Sequence, residues 1–305
     1  MTTTTEPTFD ALLPPAMATK AEQVGVNKAN VEAINMFMLA VLAGAFIALG
    51  AVFSTTVTAG ASGVLPYGIT KLLGGVVFCL GLILVVIAGA ELFTGNNLII
   101  MAWASRKVTT AQLLRNWTIV YVGNFVGSVA TALFMFLSRQ YVFGSNAIGL
   151  NILNIADAKV NLDFVQAIVL GILCNALVCL AVWLTYSART TTDKILAIVF
   201  PITAFVAAGF EHSIANMYFI PIGLFVKGGA PAEFWSQIGK TAADYSSLTW
   251  QGFFLNNLIP VTIGNIIGGT VMVGVVYWLI YSRQGKTQPR MLKHNPVSEQ
   301  METLS

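Results

Sequence analysis

Charge is scarce in this sequence. Asp, Glu, Lys and Arg make up 10% of 305 residues, against roughly 25% in an ordinary soluble domain. That is too few to coat a globule of this size, and the stretches Ala33–Val57, Leu72–Ala90 and Phe164–Tyr186 contain no Asp, Glu, Lys, Arg or His. Cysteine is rare too. Cys79, Cys174 and Cys179 all lie in apolar runs, an odd number at depths that suit neither a disulfide framework nor a zinc site. No basic block interleaved with aromatics occurs, which excludes the usual nucleic-acid surface. The N-terminus mixes Thr, Glu, Pro and Lys without the early apolar core of a cleaved signal.

Hydrophobic residues, by contrast, reach 56%, and the mean hydropathy is +0.76. About 20 apolar residues cross a bilayer as a helix. The chain therefore reads as an all-α polytopic membrane protein with six passages, near 33–57, 68–104, 113–137, 164–186, 196–226 and 253–281. The second and fifth are too long for one uninterrupted crossing and are broken by glycine and polar residues. Residues 1–32 form an N-terminal segment with a short surface helix expected over Ala16–Val24, residues 33–283 the membrane domain, and 284–305 a polar tail whose His294 is assigned to solvent.

Basic residues set the orientation. With the N-terminus inside, 11 of the 16 Lys and Arg fall on cytoplasmic segments, and Lys71, Arg139, Lys159, Lys227 and Lys240 fall outside. Both termini are then cytoplasmic.

The chain also repeats itself. Gly89-Ala-Glu91-Leu-Phe-Thr94-Gly-Asn96 recurs as Gly209-Phe-Glu211-His212-Ser-Ile-Ala-Asn216, both fitting G-x-E-x-x-x-x-N. Val120-Tyr-Val-Gly123-Asn124-Phe-Val-Gly127 recurs as Val261-Thr-Ile-Gly264-Asn265-Ile-Ile-Gly268. The first and fourth passages match weakly. Three passages per half is an odd number, so the repeats, about 33–137 and 164–283, must be inverted, as in transporters whose interrupted helices meet near the midplane. A backbone that leaves the helix at that depth must be satisfied by protein or line a cavity. The Gly123-x-x-x-Gly127 and Gly264-x-x-x-Gly268 spacings give small helix faces for close packing.

Ionisable residues at membrane depth are functional candidates by default. Glu91 and Glu211, in equivalent positions, are best read as helix-break support together with Asn96 and Asn216, taking hydrogen bonds from backbone N–H groups freed by the break. His212 has no counterpart, because Leu92 stands in its place. Symmetric scaffolding does not explain it, and an imidazole that titrates near neutrality can hold and release an anion or weak acid. Thr94 on the opposite break can place a hydroxyl across from it. The surroundings, Phe78, Leu82, Phe93, Phe205 and Phe210, are apolar and oppose hydrated cations. Asn175 either binds solute or bridges helices.

These motifs resemble the formate/nitrite transporter family. Gly209-Phe-Glu-His-Ser-Ile-Ala-Asn-Met217 is close to its most specific signature, Ala88-Gly-Ala-Glu-Leu-Phe-Thr94 resembles its first break loop, and Pro260–Gly269 resembles its last helix. Leu12-Leu-Pro-Pro-Ala-Met-Ala18 and Leu180–Ser187 are more similar to its formate-channel branch than to its nitrite branch. The resemblance implies an aquaporin-like protomer, a homopentamer with one pore per subunit, and passage of formate and related small monovalent anions across a bacterial inner membrane. It implies that His212 and Thr94 are the central pore pair, that Leu82, Phe78 and Phe205 narrow the pore, and that Asn175, Asn265 and Lys159 lie near the pathway. It also implies that the N-terminal helix gates the pore from the cytoplasm. The chain departs from the branch in the Gly-Asn-Asn after Thr94, a more polar and flexible loop than a Ser-Thr type.

Three other readings are weighed against this one. Nitrite or hydrosulfide would suit the same pore chemistry. A neutral-solute facilitator of the aquaporin type lacks its paired Asn-Pro-Ala motif here. An enzyme would need a catalytic set or cofactor ligand, and no pattern supplies one, so neither an enzymatic role nor a cofactor is expected.

Overall fold

The computed structural model describes residues 11–283; the readings made for the polar tail 284–305, His294 among them, lie outside the described residues. Each helix begins where local chemistry lets it. Pro14 opens α1 (Pro14–Ala29), tolerated there because the first helical N–H has no partner anyway. α2 (Ala33–Thr58) follows after three residues outside the helices, Asn30 to Glu32, and α3 (Tyr67–Leu84) begins behind Pro66 and runs on as a π-turn to Gly89. A short irregular helix, α4, covers 93–104. α5 (Thr110–Leu137) starts from a capping box in which the Gln112 N–H donates to Thr109 Oγ1 and the Thr109 N–H donates back to Gln112.

The second half repeats the plan: α6 (Ala147–Val160), α7 (Phe164–Ser187), α8 (Thr191–Ala207, from a Thr190/Asp193 capping box), α9 (Ser213–Gly229), then a short α10 (Ala232–Ile238) and α11 (Gly252–Ser282), which contains several π segments. No strand occurs among the described residues.

Five helices are long and apolar enough to cross a membrane: α2, α3 with its π-turn, α5, α7 and α11. The other passage is made of two half-helices, α8 and α9, of 17 residues each. This is the six-passage arrangement with broken second and fifth members that the hydropathy predicts.

Helices pack closely because small residues meet backbone. A Cβ on Gly127 would lie 2.0 Å from the Val41 carbonyl oxygen, and one on Gly268 would lie 2.1 Å from that of Ile172. The two G-x-x-x-G faces thus dock α5 on α2 and α11 on α7. Leu42, Leu49 and Phe53 of α2 remain exposed on the outer surface while Ala40, Ala43, Gly44 and Ala51 turn inward, the inverse of a soluble protein's pattern.

Two details differ from the sequence expectations. α1 extends beyond Ala16–Val24 on both sides, because Met17, Ala18, Ala21, Gly25 and Ala29 are buried against the body of the protein, with Gly25 facing Ile99 and Ala102 of α4. The repeat is also longer than 33–137 and 164–283. Lys28-Ala-Asn30-Val-Glu32 ends α1 and enters α2 just as Lys159-Val-Asn161-Leu-Asp163 ends α6 and enters α7, and Lys28 and Lys159 make the same contacts. α1 and α6 are therefore counterparts, one on each face of the inverted pair.

Candidate functional site

Each break opens on a glycine whose φ lies in the left-handed region, +82° at Gly89 and +73° at Gly209, where a side chain would be strained. The next residues are extended, and their backbone groups need partners inside the membrane. One asparagine serves each break. Asn124 Oδ1 accepts from the Phe93 N–H at 2.9 Å, and its Nδ2 donates to the carbonyls of Ala40 at 2.8 Å and Glu91 at 2.9 Å. Asn265 does the same with the Ser213 N–H at 2.9 Å and the carbonyls of Gly171 at 2.8 Å and Glu211 at 2.9 Å. Asn265, expected near the pathway, is fully buried with its amide wholly engaged by backbone.

The two glutamates are matched as closely. Glu91 takes Lys28 Nζ at 2.7 Å and Asn96 Nδ2 at 2.6 Å, with Asn96 also donating to Asn116 Oδ1 at 2.9 Å. Glu211 takes Lys159 Nζ at 2.7 Å and Asn216 Nδ2 at 2.6 Å, with Asn216 donating to Asn257 Oδ1 at 2.7 Å. Asn116 and Asn257 donate in turn to the Lys28 and Lys159 carbonyls. A buried carboxylate is stable only when paired and hydrogen-bonded, and both are. The freed backbone N–H groups go instead to the asparagines and, for Glu91 and Glu211 themselves, to the carbonyls of Leu39 and Leu170.

The symmetry fails at His212. Its side chain is 3% exposed at the N-cap of α9. Nδ1 accepts the Ala215 N–H at 3.1 Å, and Nε2 lies 2.9 Å from Thr94 Oγ1. Because Nδ1 is an acceptor, a neutral ring carries its proton on Nε2. That N–H donates to Thr94 Oγ1 and leaves the threonine hydroxyl proton available to another acceptor. Phe205 stacks beside the imidazole, centroids 5.9 Å apart.

A vestibule of 660 Å³ opens from the α6 face down to His212. Asn151, Asn154, Lys71 and Lys159 give its wall polarity, while Phe210, Phe219 and Phe78 are apolar. At its floor Phe78 and Phe205 meet edge to face, centroids 5.7 Å apart. Beyond them Leu82, Leu92, Ile47, Val178 and Ile202 enclose with His212 a chamber of only about 10 Å³, the least that holds one water. Phe78 and Phe205 line both cavities, and Leu82 lines the chamber alone. Thr94, Asn175 and Phe93 line neither cavity, and Thr94 is reached only through its bond to His212. Asn175 bridges helices, donating to the Asn265 carbonyl at 2.7 Å and Asn97 Oδ1 at 3.0 Å, and Phe93 packs on Trp117 and Tyr121.

Comparison with known proteins draws on the same stretch of chain. A family profile described as formate/nitrite transporter matches residues 15–279. The chain belongs to the formate/nitrite transporter family. Within that family it is 50% identical over 276 residues to the formate channel FocA of Escherichia coli K12, covering 90% of this chain and 96% of that one. It is 40% identical to a probable formate transporter of Methanothermobacter thermautotrophicus over 82% of this chain and 89% of that protein. A solved structure titled a pentameric formate channel with formate bound superposes with a TM-score of 0.79 at 50% identity, covering 82% of this chain and 98% of the other. Like its family, the chain is a membrane protein.

Lys28, Asn116, Asn257, Asn97 and Ser128 were not singled out from sequence. Only the Lys28/Lys159 pairing left a readable signal, the shared Lys-x-Asn-x-acid ending.

Proposed function

We propose that the protein is a channel for formate and related small monovalent anions, assembled as a homopentamer with one pore per subunit and set in a bacterial inner membrane. Both termini face the cytoplasm, the side favoured by 11 of 16 basic residues, so the vestibule opens outward. Its relatives' names and their formate-bound structure support the substrate, and no step of the mechanism breaks or forms a bond to carbon.

The observation that carries the reading is His212, which lines the floor of the vestibule and is hydrogen-bonded to the fully buried Thr94. Lys71 raises the local potential for an arriving anion, while the charge of Lys159 is offset by Glu211. Past the Phe78–Phe205 narrowing, the anion exchanges water for the Nε2 proton of His212, which turns to it from Thr94 Oγ1. That donor carries no fixed charge, so the bound anion is not trapped. Leaving the chamber as an anion costs Born energy in apolar surroundings, and taking up one proton from the vestibule water, to cross as the neutral acid, removes that cost. Flux therefore rises as pH falls, because the acid fraction grows. The test is formate flux in proteoliposomes across a pH series. An unchanged rate and pH dependence in His212→Phe would refute the mechanism, and competition with nitrite and hydrosulfide ranks the family's anions.

A further inference from the structure

The two breaks are tied down at the same backbone atom by different side chains. The registers of the repeats follow from matched hydrogen bonds: Leu39 pairs with Leu170 and Ala40 with Gly171, Asn124 with Asn265, and Glu91 with Glu211. Counting onward, Gly44 corresponds to Asn175, Ser128 to Gly269, Ala48 to Cys179, and Thr94 to Ile214. In one half the carbonyl of Thr94 lies 3.3 Å from Asn175 Nδ2, on α7. In the other, the carbonyl of Ile214 lies 3.4 Å from Ser128 Oγ, on α5, which also reaches the Gly44 carbonyl at 3.1 Å. The anchor has changed helix between the halves while its target has stayed the same.

Sterics make the two solutions exclusive. A Cβ on Gly269 would sit 2.4 Å from Asn175 Nδ2, so an asparagine at 175 demands glycine at 269. Across the pseudo-symmetry, a Cβ on Gly44 would lie 2.2 Å from the Asn124 carbonyl oxygen, and there Ser128 takes over the bond. Both anchors are fully buried, and neither lines a cavity. We propose that Asn175 and Ser128 are the positioning residues of the pore pair: Asn175 fixes the arm that carries Thr94, Ser128 fixes the arm that carries His212, and together they set the separation across which the two side chains bond.

The test uses the full-length protein in lipid nanodiscs and reads amide hydrogen exchange segment by segment, which requires no transported substrate. Asn175→Ala removes its bonds to the Thr94 carbonyl, Asn97 Oδ1 and the Asn265 carbonyl, so it should speed exchange in residues 93–98 at least about tenfold and in 213–217 far less. Ser128→Ala should do the reverse. The decisive variant combines Asn175→Gly, Cys179→Ala and Gly269→Ser, which offers the Thr94 carbonyl a hydroxyl as Ser128 does for Ile214. The new Cβ lies 2.8 Å from Asn97 Cβ, which must give way. Exchange in 93–98 should be slower than in Asn175→Gly alone, with exchange in the rest of α7 as the control. Equal loosening of both breaks by either single variant, or exchange in 93–98 as fast in the triple variant as in Asn175→Gly, would overturn the proposal. Formate flux forms a second readout that rests on the formate reading: a fall of about tenfold in Asn175→Ala, partly recovered in the triple variant. Wild-type protein that carries no formate would overturn that reading and leave the exchange result to decide the anchors.

Discussion

Asn265 bears more on the pore than its distance from the cavities suggests, because three backbone groups of the second break depend on one amide. Asn265→Ala leaves them unpaired in a dry interior and should cost about 2–4 kcal/mol, read as a lowered Tm in detergent. Lys159→Ala strands the Glu211 carboxylate and should cost about 3–5 kcal/mol. Lys159→Met combined with Glu211→Gln should recover most of that loss, since no uncompensated charge remains. The place of Glu91, Glu211 and His212 at the helix breaks was legible in sequence because charge is rare there. The jobs of Asn175 and Asn265 were not. An asparagine in an apolar run announces that it must bond to something, but whether that partner is solute or a backbone carbonyl depends on which helix faces it, and pattern carries no record of that.

Among the helices, α1 is held by more than its apolar face. Glu22 is buried against the protein and pairs with Lys107 at 2.6 Å, while Lys20 Nζ donates to the Tyr186 carbonyl at 2.9 Å. Burial alone would raise the Glu22 carboxyl, but hydrogen bonds from Lys107, Ser282 and Ser105 outweigh it and hold the group below the usual glutamate value. The sign follows: the tether is at full strength above the ordinary carboxylate range and is lost as pH falls through the lowered value. Amide exchange in 14–29 should therefore quicken on acidification in the wild type, and Glu22→Gln should flatten that dependence. The close helix contacts give a second expectation. Gly127→Ala forces a methyl onto the Val41 carbonyl and should lower the Tm by an amount worth about 1–3 kcal/mol or more. The G-x-x-x-G spacing announced this packing, whereas the reach of α1 was underestimated because Glu22 and Lys28 look like solvent-facing residues until their buried partners are known.

In the assembled molecule, near-equivalence of two halves surrounds one deliberate exception. Lysine, glutamate and three asparagines recur in both halves with nearly the same distances, and Leu92 faces the chamber where His212 stands in the other half. The number of passages, the breaks and the inversion were legible because hydropathy and a two-fold motif record them directly. The vestibule was not, since its wall gathers residues from three stretches far apart in the chain, within 54–78, 151–162 and 205–219. Native mass spectrometry should find five copies per particle, the count in the related formate channel; a monomer or trimer in mild detergent would contradict the proposed assembly. The claim on which the rest depends is that a small anion crosses by bonding to His212. Formate flux into proteoliposomes, measured from pH 5 to pH 8 for wild type and His212→Phe, tests it most directly. The wild type should conduct faster at the acidic end, and the variant should lose roughly a hundredfold in rate or lose the pH dependence, an effect of the size expected for removing a buried donor. Matching curves for the two proteins would contradict it.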